Sequence, residues 1–241
     1  MDNGYDSAPG FYGKVTTHGD FVTRRLPRAF IDGWDEWLQA GLHYARQRLG
    51  ATWLNAYLTS PLWRFAINAG VLDRAAWSGV VMPSVDRVGR HFPLTIACPA
   101  FGQPRLLDWV REGNPWFENL EDFALSSLAE GFQLEKMEAS LQATPGLTQM
   151  LAARLGPPRP PVGSATCMAF GSMQQLLQAQ NNLVQDLASQ ALQGATVWWT
   201  EGSDRIKPCM LISRGMPTPQ QCCAMMDGNW SGGGWVYQEL G

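Results

Sequence analysis

Two short polar segments hold most of the residues in this chain that could do chemistry. The first contains His18, Asp20, Arg24, Arg25 and Arg28. The second lies inside the stretch Val80 to Ala97, VVMPSVDRVGRHFPLTIA, and contains Asp86, Arg87, Arg90 and His91. Each mixes carboxylates with guanidinium groups, whose planar forks of donors match carboxylate and phosphate oxygens. Brought together by a fold, the segments would make an ion-pair network or an anion-binding rim. Kept apart, they are solvated turns whose surface ion pairs contribute little each. An enzymatic reading sets Asp20 or Asp86 beside a histidine and an arginine for phosphoester or acyl chemistry. A metal reading needs His18 and His91 to converge with Asp20 or Asp86. Signatures for either are absent: there is no G-x-x-x-x-G-K-[ST], no G-x-G-x-x-G after a strand, no G-x-S-x-G and no H-E-x-x-H. The residues thus call for no cofactor and no metal, and a binding surface is the simpler expectation.

The second segment is flanked by apolar runs, Val80-Val81-Met82 and Phe92 to Ala97. Runs of this length, rich in Val and Ile and bounded by Pro and Gly, suit buried strands. Pro83 and Pro93 cannot donate ladder hydrogen bonds, so they mark strand ends and leave the charges at the rim of a sheet. Upstream, Phe11 to Val15 reads as a first strand, Thr16 to Asp20 as a turn, and Pro27 as a first helical residue. Phe30, Trp34, Trp37, Leu38, Leu42, Ala45 and Leu49 fall on one helix face, closed by Gly50; His43 sits on that helix. Residues 53–58 read as a helical turn and Trp63 to Ile67 as a strand. Asn114-Pro115 opens a long helix through Leu120, Phe123, Ala124, Leu128 and Phe132 to about Leu141. Leu147 to Leu155 makes another helix, and Gly156 to Pro161 a stiff connection.

Thr166 to Phe170 is predicted as a strand, Ser172 with Gln175 as a capping box, and Leu176 to Leu192 as a helix. Ala195 to Thr200 and Ile206 to Ile212 are two further strands, and Thr218-Pro219-Gln220-Gln221 caps a last helix. Residues 1–9 and 228–241 are expected to be flexible, with Trp230, Trp235 and Tyr237 available to dock. Trp198 and Trp199 must face opposite sides of their strand. Interleaved strands and helices predict one α/β domain over residues 1–241, a mixed sheet covered by helices on both faces.

Composition narrows the function class. Charged residues make up 16% of the chain and hydrophobic residues 45%, with a formal net charge of −3. That balance describes a folded protein without an electrostatic reason to bind nucleic acid or an anionic membrane. The start has no basic and apolar leader, and no apolar run is long enough for a bilayer, so the expected location is cytoplasmic. Five cysteines without zinc spacing, Cys98, Cys167, Cys209, Cys222 and Cys223, read as reduced and mostly buried thiols. Most of the eleven tryptophans are expected in the core, and so many in one domain leave room for an exposed aromatic contact surface as well.

A resemblance emerges from the order of several short pieces: Gly10-Phe11-Tyr12-Gly13-Lys14, His18-Gly19-Asp20-Phe21-Val22, Arg25-Leu26-Pro27, Trp34-Asp35-Glu36-Trp37-Leu38-Gln39, Leu62-Trp63-Arg64-Phe65 and Met82-Pro83-Ser84-Val85-Asp86-Arg87-Val88-Gly89-Arg90. Together they resemble the TagF (ImpM) family of type VI secretion system-associated proteins. The match covers about the first hundred residues. What the resemblance implies is a three-layer α/β/α sandwich and a cytosolic, non-enzymatic accessory protein that holds back assembly or firing of the secretion apparatus after translation. The implied partner is the forkhead-associated scaffold protein of the same system. Asp20, Arg24, Arg25, Asp86, Arg87 and Arg90 are expected to form the partner-binding rim. A small hydrolase and a structural subunit of the apparatus stay open as alternatives.

Overall fold

The inner strands run as near-continuous apolar stretches because helices cover both faces of the sheet, so their residues are buried whichever face they meet, whereas the two edge strands keep exposed positions. The computed structural model describes residues 5–101, 104–155, 174, 184 and 186–239. Its elements are β1 (Gly10–Gly13), β2 (Val22–Arg24), α1 (Arg28–Leu49), α2 (Trp53–Leu58), β3 (Trp63–Ile67), β4 (Ala76–Met82), β5 (Leu94–Ala100), α3 (Leu106–Glu112), α4 (Asn114–Ser126), α5 (Leu134–Ala143), α6 (Leu147–Leu155), β6 (Ala195–Thr200), β7 (Cys209–Arg214) and α7 (Pro219–Asp227). The strands form one sheet in the order β2-β1-β5-β4-β3-β6-β7. Helices lie on both faces, as expected for the α/β class. Every pairing among the described strands is antiparallel, so the sheet they form is not mixed. Hairpin-like returns such as β4 to β5 produce this, where an expectation of helical crossovers would produce parallel neighbours.

One face packs Phe11, Val80, Ile96, Val197 and Trp199 against α3 to α6 through Trp109, Trp116, Phe117, Leu120, Leu141 and Leu151. The other packs Phe65, Trp77, Trp198 and Leu211 against α1 and α7 through Phe30, Trp34, Leu38, Cys222 and Met225. Trp198 and Trp199 therefore anchor two different layers, as the alternation of a strand requires.

Several expectations are revised. The long helix after Asn114 is two helices: Ser126 and Ser127 donate their hydroxyls back to Phe123 O and Ala124 O, and Gly131 takes φ 77 before α5 begins. Such back-bonding competes with the helical ladder and favours an end. α3 had no sequence signal beyond a short run after Pro104. β7 begins at Cys209, past Pro208. Residues 5–9 are anchored: Tyr5 lies tilted against Trp77 and edge-on to Phe101 and donates to Asp73, Ala8 and Pro9 are buried, and Cys98 Sγ donates to Ser7 O. Trp230 meets Trp63 edge-on and Trp235 Nε1 donates to Gln221 O, so the start of the last segment is docked too. The expected strand Thr166 to Phe170 and the Ser172 capping box fall outside the described residues; the chain is helical again at 186–191.

α1 and α7 approach closely because Gly41 has no side chain. A Cβ there would lie 2.5 Å from Cys222 Sγ. Gly41→Ala is expected to lower stability by about 1 kcal/mol through overpacking. In a Cys222→Ala background the cost of the same change should shrink, because the Sγ contact is gone, only the Cβ of residue 222 at 3.1 Å still presses on the new methyl, and alanine has a helix propensity advantage of about 1 kcal/mol over glycine. Urea unfolding of the four proteins of this cycle measures the difference.

Candidate functional site

The β4–β5 connection, Pro83 to Pro93, is built around one buried carboxylate. The Asp86 side chain is 0% exposed. Its Oδ1 accepts from the backbone N–H of Val88 at 3.0 Å and of Arg90 at 2.9 Å. Its Oδ2 accepts from Lys14 Nζ at 2.6 Å and from Arg90 Nε at 2.7 Å. The Asp86 N–H donates to Arg90 O at 3.0 Å, and Gly89, at φ 85, turns the chain in the left-handed region that glycine tolerates. Below the turn, Val85 bridges His91, and Ser84 is held from both sides. Tyr57 Oη donates to Ser84 O and accepts from Ser84 N, while Ser84 Oγ donates to Lys14 O. The loop is a fixed object whose tip, Arg87 to Arg90, points into solvent.

Lys14 reaches Asp86 because β1 ends beside β5. Gly13 sits at φ 141 with the place of a Cβ only 2.1 Å from Pro93 O, so only glycine fits there. The Lys14 ammonium also lies 4.7 Å from the centre of the exposed Phe21 ring, which stacks on Tyr12 and meets Phe92. The turn after β1 then docks on the loop. Arg87 N donates to His18 O at 2.9 Å, the Arg90 guanidinium donates to Gly19 O, and Asp20 lies 3.8 Å from Arg90.

Four of the six expected rim residues, Asp20, Asp86, Arg87 and Arg90, are thus brought together. Arg24 and Arg25 are not among them. Both turn towards Glu138 of α5, at 3.0 and 3.5 Å, and Arg25, at φ 57, also donates to Pro9 O. Arg28 pairs loosely with Asp32 on the exposed face of α1. His18 contacts Thr17 Oγ1, and the His91 ring packs on Trp53 and Tyr57. Among the described residues no group of three His, Cys, Asp or Glu side chains is placed to hold a metal ion. Lys14, the hub's second cation, had no signal of its own in the sequence, since an isolated lysine after a strand reads as solvated.

Burial opposes charge on Asp86. The Lys14 ammonium, the Arg90 backbone and guanidinium and the Val88 N–H outweigh it, and the carboxyl is held well below its ordinary range. A folded value below the unfolded value of about 3.9 means that the stabilisation is complete above that pH and is lost as pH falls through the folded value. Protection of the Val88 and Arg90 amides from hydrogen exchange is therefore expected to persist unchanged down to about pH 4 and to decay only in stronger acid. An Asp86→Ala chain, which has no side-chain acceptor for the two N–H groups, should lack that protection at every pH.

The family profile of the TagF N-terminal domain, type VI secretion system-associated, matches residues 10–144. That span contains β1 to β5, the loop and the turn that docks on it, and the sheet continues beyond it with β6 and β7. Among solved structures, the chain is similar to PA0076 from Pseudomonas aeruginosa PAO1, with 37% identity and a TM-score of 0.77 over 97% of this chain and 99% of that one. No curated protein matches. No described helix is long and apolar enough to cross a membrane. The matched segment carries the loop and its supports, and the chain belongs to the TagF family of type VI secretion system-associated proteins.

Proposed function

We propose that this protein is a non-enzymatic cytoplasmic regulator that represses assembly or firing of a type VI secretion system by binding one of its proteins, the forkhead-associated scaffold being the expected partner. The observation that carries this reading is the preformed loop. A buried carboxylate with all its hydrogen bonds made is an expensive way to hold a turn, and what it presents is an exposed Arg87-Val88-Gly89-Arg90 tip. Preorganised surface lowers the ordering cost of association, which suits docking. The same geometry argues against Asp86 as a catalytic acid or base, because both of its oxygens are already engaged by Lys14, Arg90 and two backbone N–H groups. Arg87 and Arg90 bound the tip, and Asp20 lies beside Arg90.

The test is cellular. In a bacterium with an active type VI system, extra copies of the chain are expected to reduce the number of assembled sheaths and the secreted tube protein, with the other components' levels unchanged. Deletion should raise both. Unaltered assembly in both directions would contradict the proposal. Stable co-purification of the chain with the finished apparatus would favour a structural subunit.

A further inference from the structure

The two edges of the sheet are finished differently. β2 offers only Val22 to Arg24, and the chain turns away at Arg25, φ 57. The Arg24 guanidinium donates to Thr23 O at 2.8 Å and pairs with Glu138 of α5, so this edge carries a charge and an occupied carbonyl. Edges blunted by shortness and charge resist pairing with another chain. β7 has no such device within it. It runs from Cys209 to Arg214 in unbroken register with β6, without proline or bulge, and its one charge is Arg214 at its end.

The ladder fixes which backbone groups face outwards. Gly215 N donates to Gly194 O at 2.8 Å, and Asn68 N donates to Ala195 O from the other side of β6. Alternation then turns Cys209, Leu211 and Ser213 towards β6 and leaves the backbone N–H and C=O of Met210, Ile212 and Arg214 pointing away from the sheet. None of those groups has a partner among the described residues. The side chains of the same three residues stand on the face opposite Leu211, and Met210 and Ile212 are 46% and 50% exposed. Trp199 and Val197 lie beside them on that face.

We infer that β7 pairs antiparallel with β7 of a second copy of this chain, about a twofold axis through Ile212. One register maps all three outward residues onto one another. Ile212 meets the partner's Ile212, and Met210 meets the partner's Arg214, with about six hydrogen bonds, two per pair. Moving the axis to Leu211 would set Arg214 against Pro208, which has no N–H to give. Moving it to Ser213 would send Met210 past the partner's Gly215, φ 69, where the strand has turned. Such pairing closes at two copies, because it occupies β7 of both and leaves only the blunted β2 edges. β3 and β6 separate β7 from the β4–β5 loop, so the inference is independent of the partner-binding reading, and the dimer carries two loop tips.

Sedimentation velocity of the full chain from about 1 to about 300 μM tests the pairing by mass action. The mass is expected to rise from 26.6 kDa towards twice that value. Ile212→Lys places two ammonium groups across the axis, and Ile212→Pro removes an outward N–H that no bond within the chain uses. Both variants should stay monomeric with unchanged circular dichroism, and Ile212→Val should still dimerise. Hydrogen exchange locates the contact: the Ile212 amide should slow roughly tenfold between the dilute and the concentrated sample, whereas the Leu211 amide, which donates to β6, should be protected in both. Wild type that remains a monomer at the top of this range overturns the inference, as does a dimer that survives both disruptive substitutions. So does an Ile212 amide that stays fast in the dimer, which places the contact elsewhere, or one that slows only when another protein of the secretion system is added, which gives the edge to a different strand.

Discussion

Trp34→Ala is expected to lower the free energy of unfolding by about 4 kcal/mol, a large part of the total for a typical domain. The ring is fully buried between α1 and the sheet and lies within 6.0 Å, centre to centre, of Phe30, Trp37, Phe65 and Trp198. Its Nε1 donates to Thr95 Oγ1 on β5 at 2.8 Å. Alanine would open a cavity among rings that cannot collapse onto one another and would remove the donor from a buried hydroxyl. Trp34→Phe fills most of the space but still strands Thr95, at a cost of about 2 kcal/mol. Urea unfolding followed by far-UV circular dichroism measures both. A loss below about 1 kcal/mol for alanine would show that the two layers do not share this contact.

The second large effect is at Arg64. Its side chain rises from β3 towards α4 and is only 3% exposed. Nε and one terminal nitrogen donate to the two oxygens of Glu121 at 2.6 Å each, and the other terminal nitrogen donates to Asn114 Oδ1 at 2.6 Å. Glu201 adds a longer and more exposed contact at 3.1 Å. Arg64→Met should cost about 3 kcal/mol, because it leaves Glu121 without its partner. The cost belongs to the orphaned carboxylate. Arg64→Met/Glu121→Leu is therefore expected to recover most of it, since a buried pair is often replaced by apolar residues without loss. A double variant no more stable than the single one would mean that the pair, not the orphan, sets the energy.

These two residues show how far the sequence is legible. Trp34 stands on a helix face whose spacing is plain, and β3 and β6 begin and end where their aromatic and β-branched runs do. Arg64 sits inside such a run, where only its place in Leu62-Trp63-Arg64-Phe65 set it apart. Strand direction was not legible, because direction depends on how connections return and the return from β4 to β5 resembles any polar loop. The rim was half legible. The charges of the two turns were visible, and so was their place at strand ends, but pairing of β2 with β1 carries Arg24 and Arg25 to Glu138. Glu138 itself was hidden inside a helix expected to run unbroken from Asn114. The role of Asp86 was the hardest to foresee, since an aspartate in a turn looks solvated until Lys14 arrives from another strand.

Direct titration of the forkhead-associated scaffold into this protein tests the central claim most closely, with wild type beside Arg87→Ala/Arg90→Ala and the single variant Arg87→Ala. The single variant isolates the surface from the loop's architecture, because Arg90 also supports Asp86 whereas Arg87 contributes only its backbone N–H. Binding by wild type, weakened by Arg87→Ala and weakened further by the double variant with the fold intact, is the predicted result. Equal affinity for all three, or no affinity for wild type, would contradict a regulator that works through this loop.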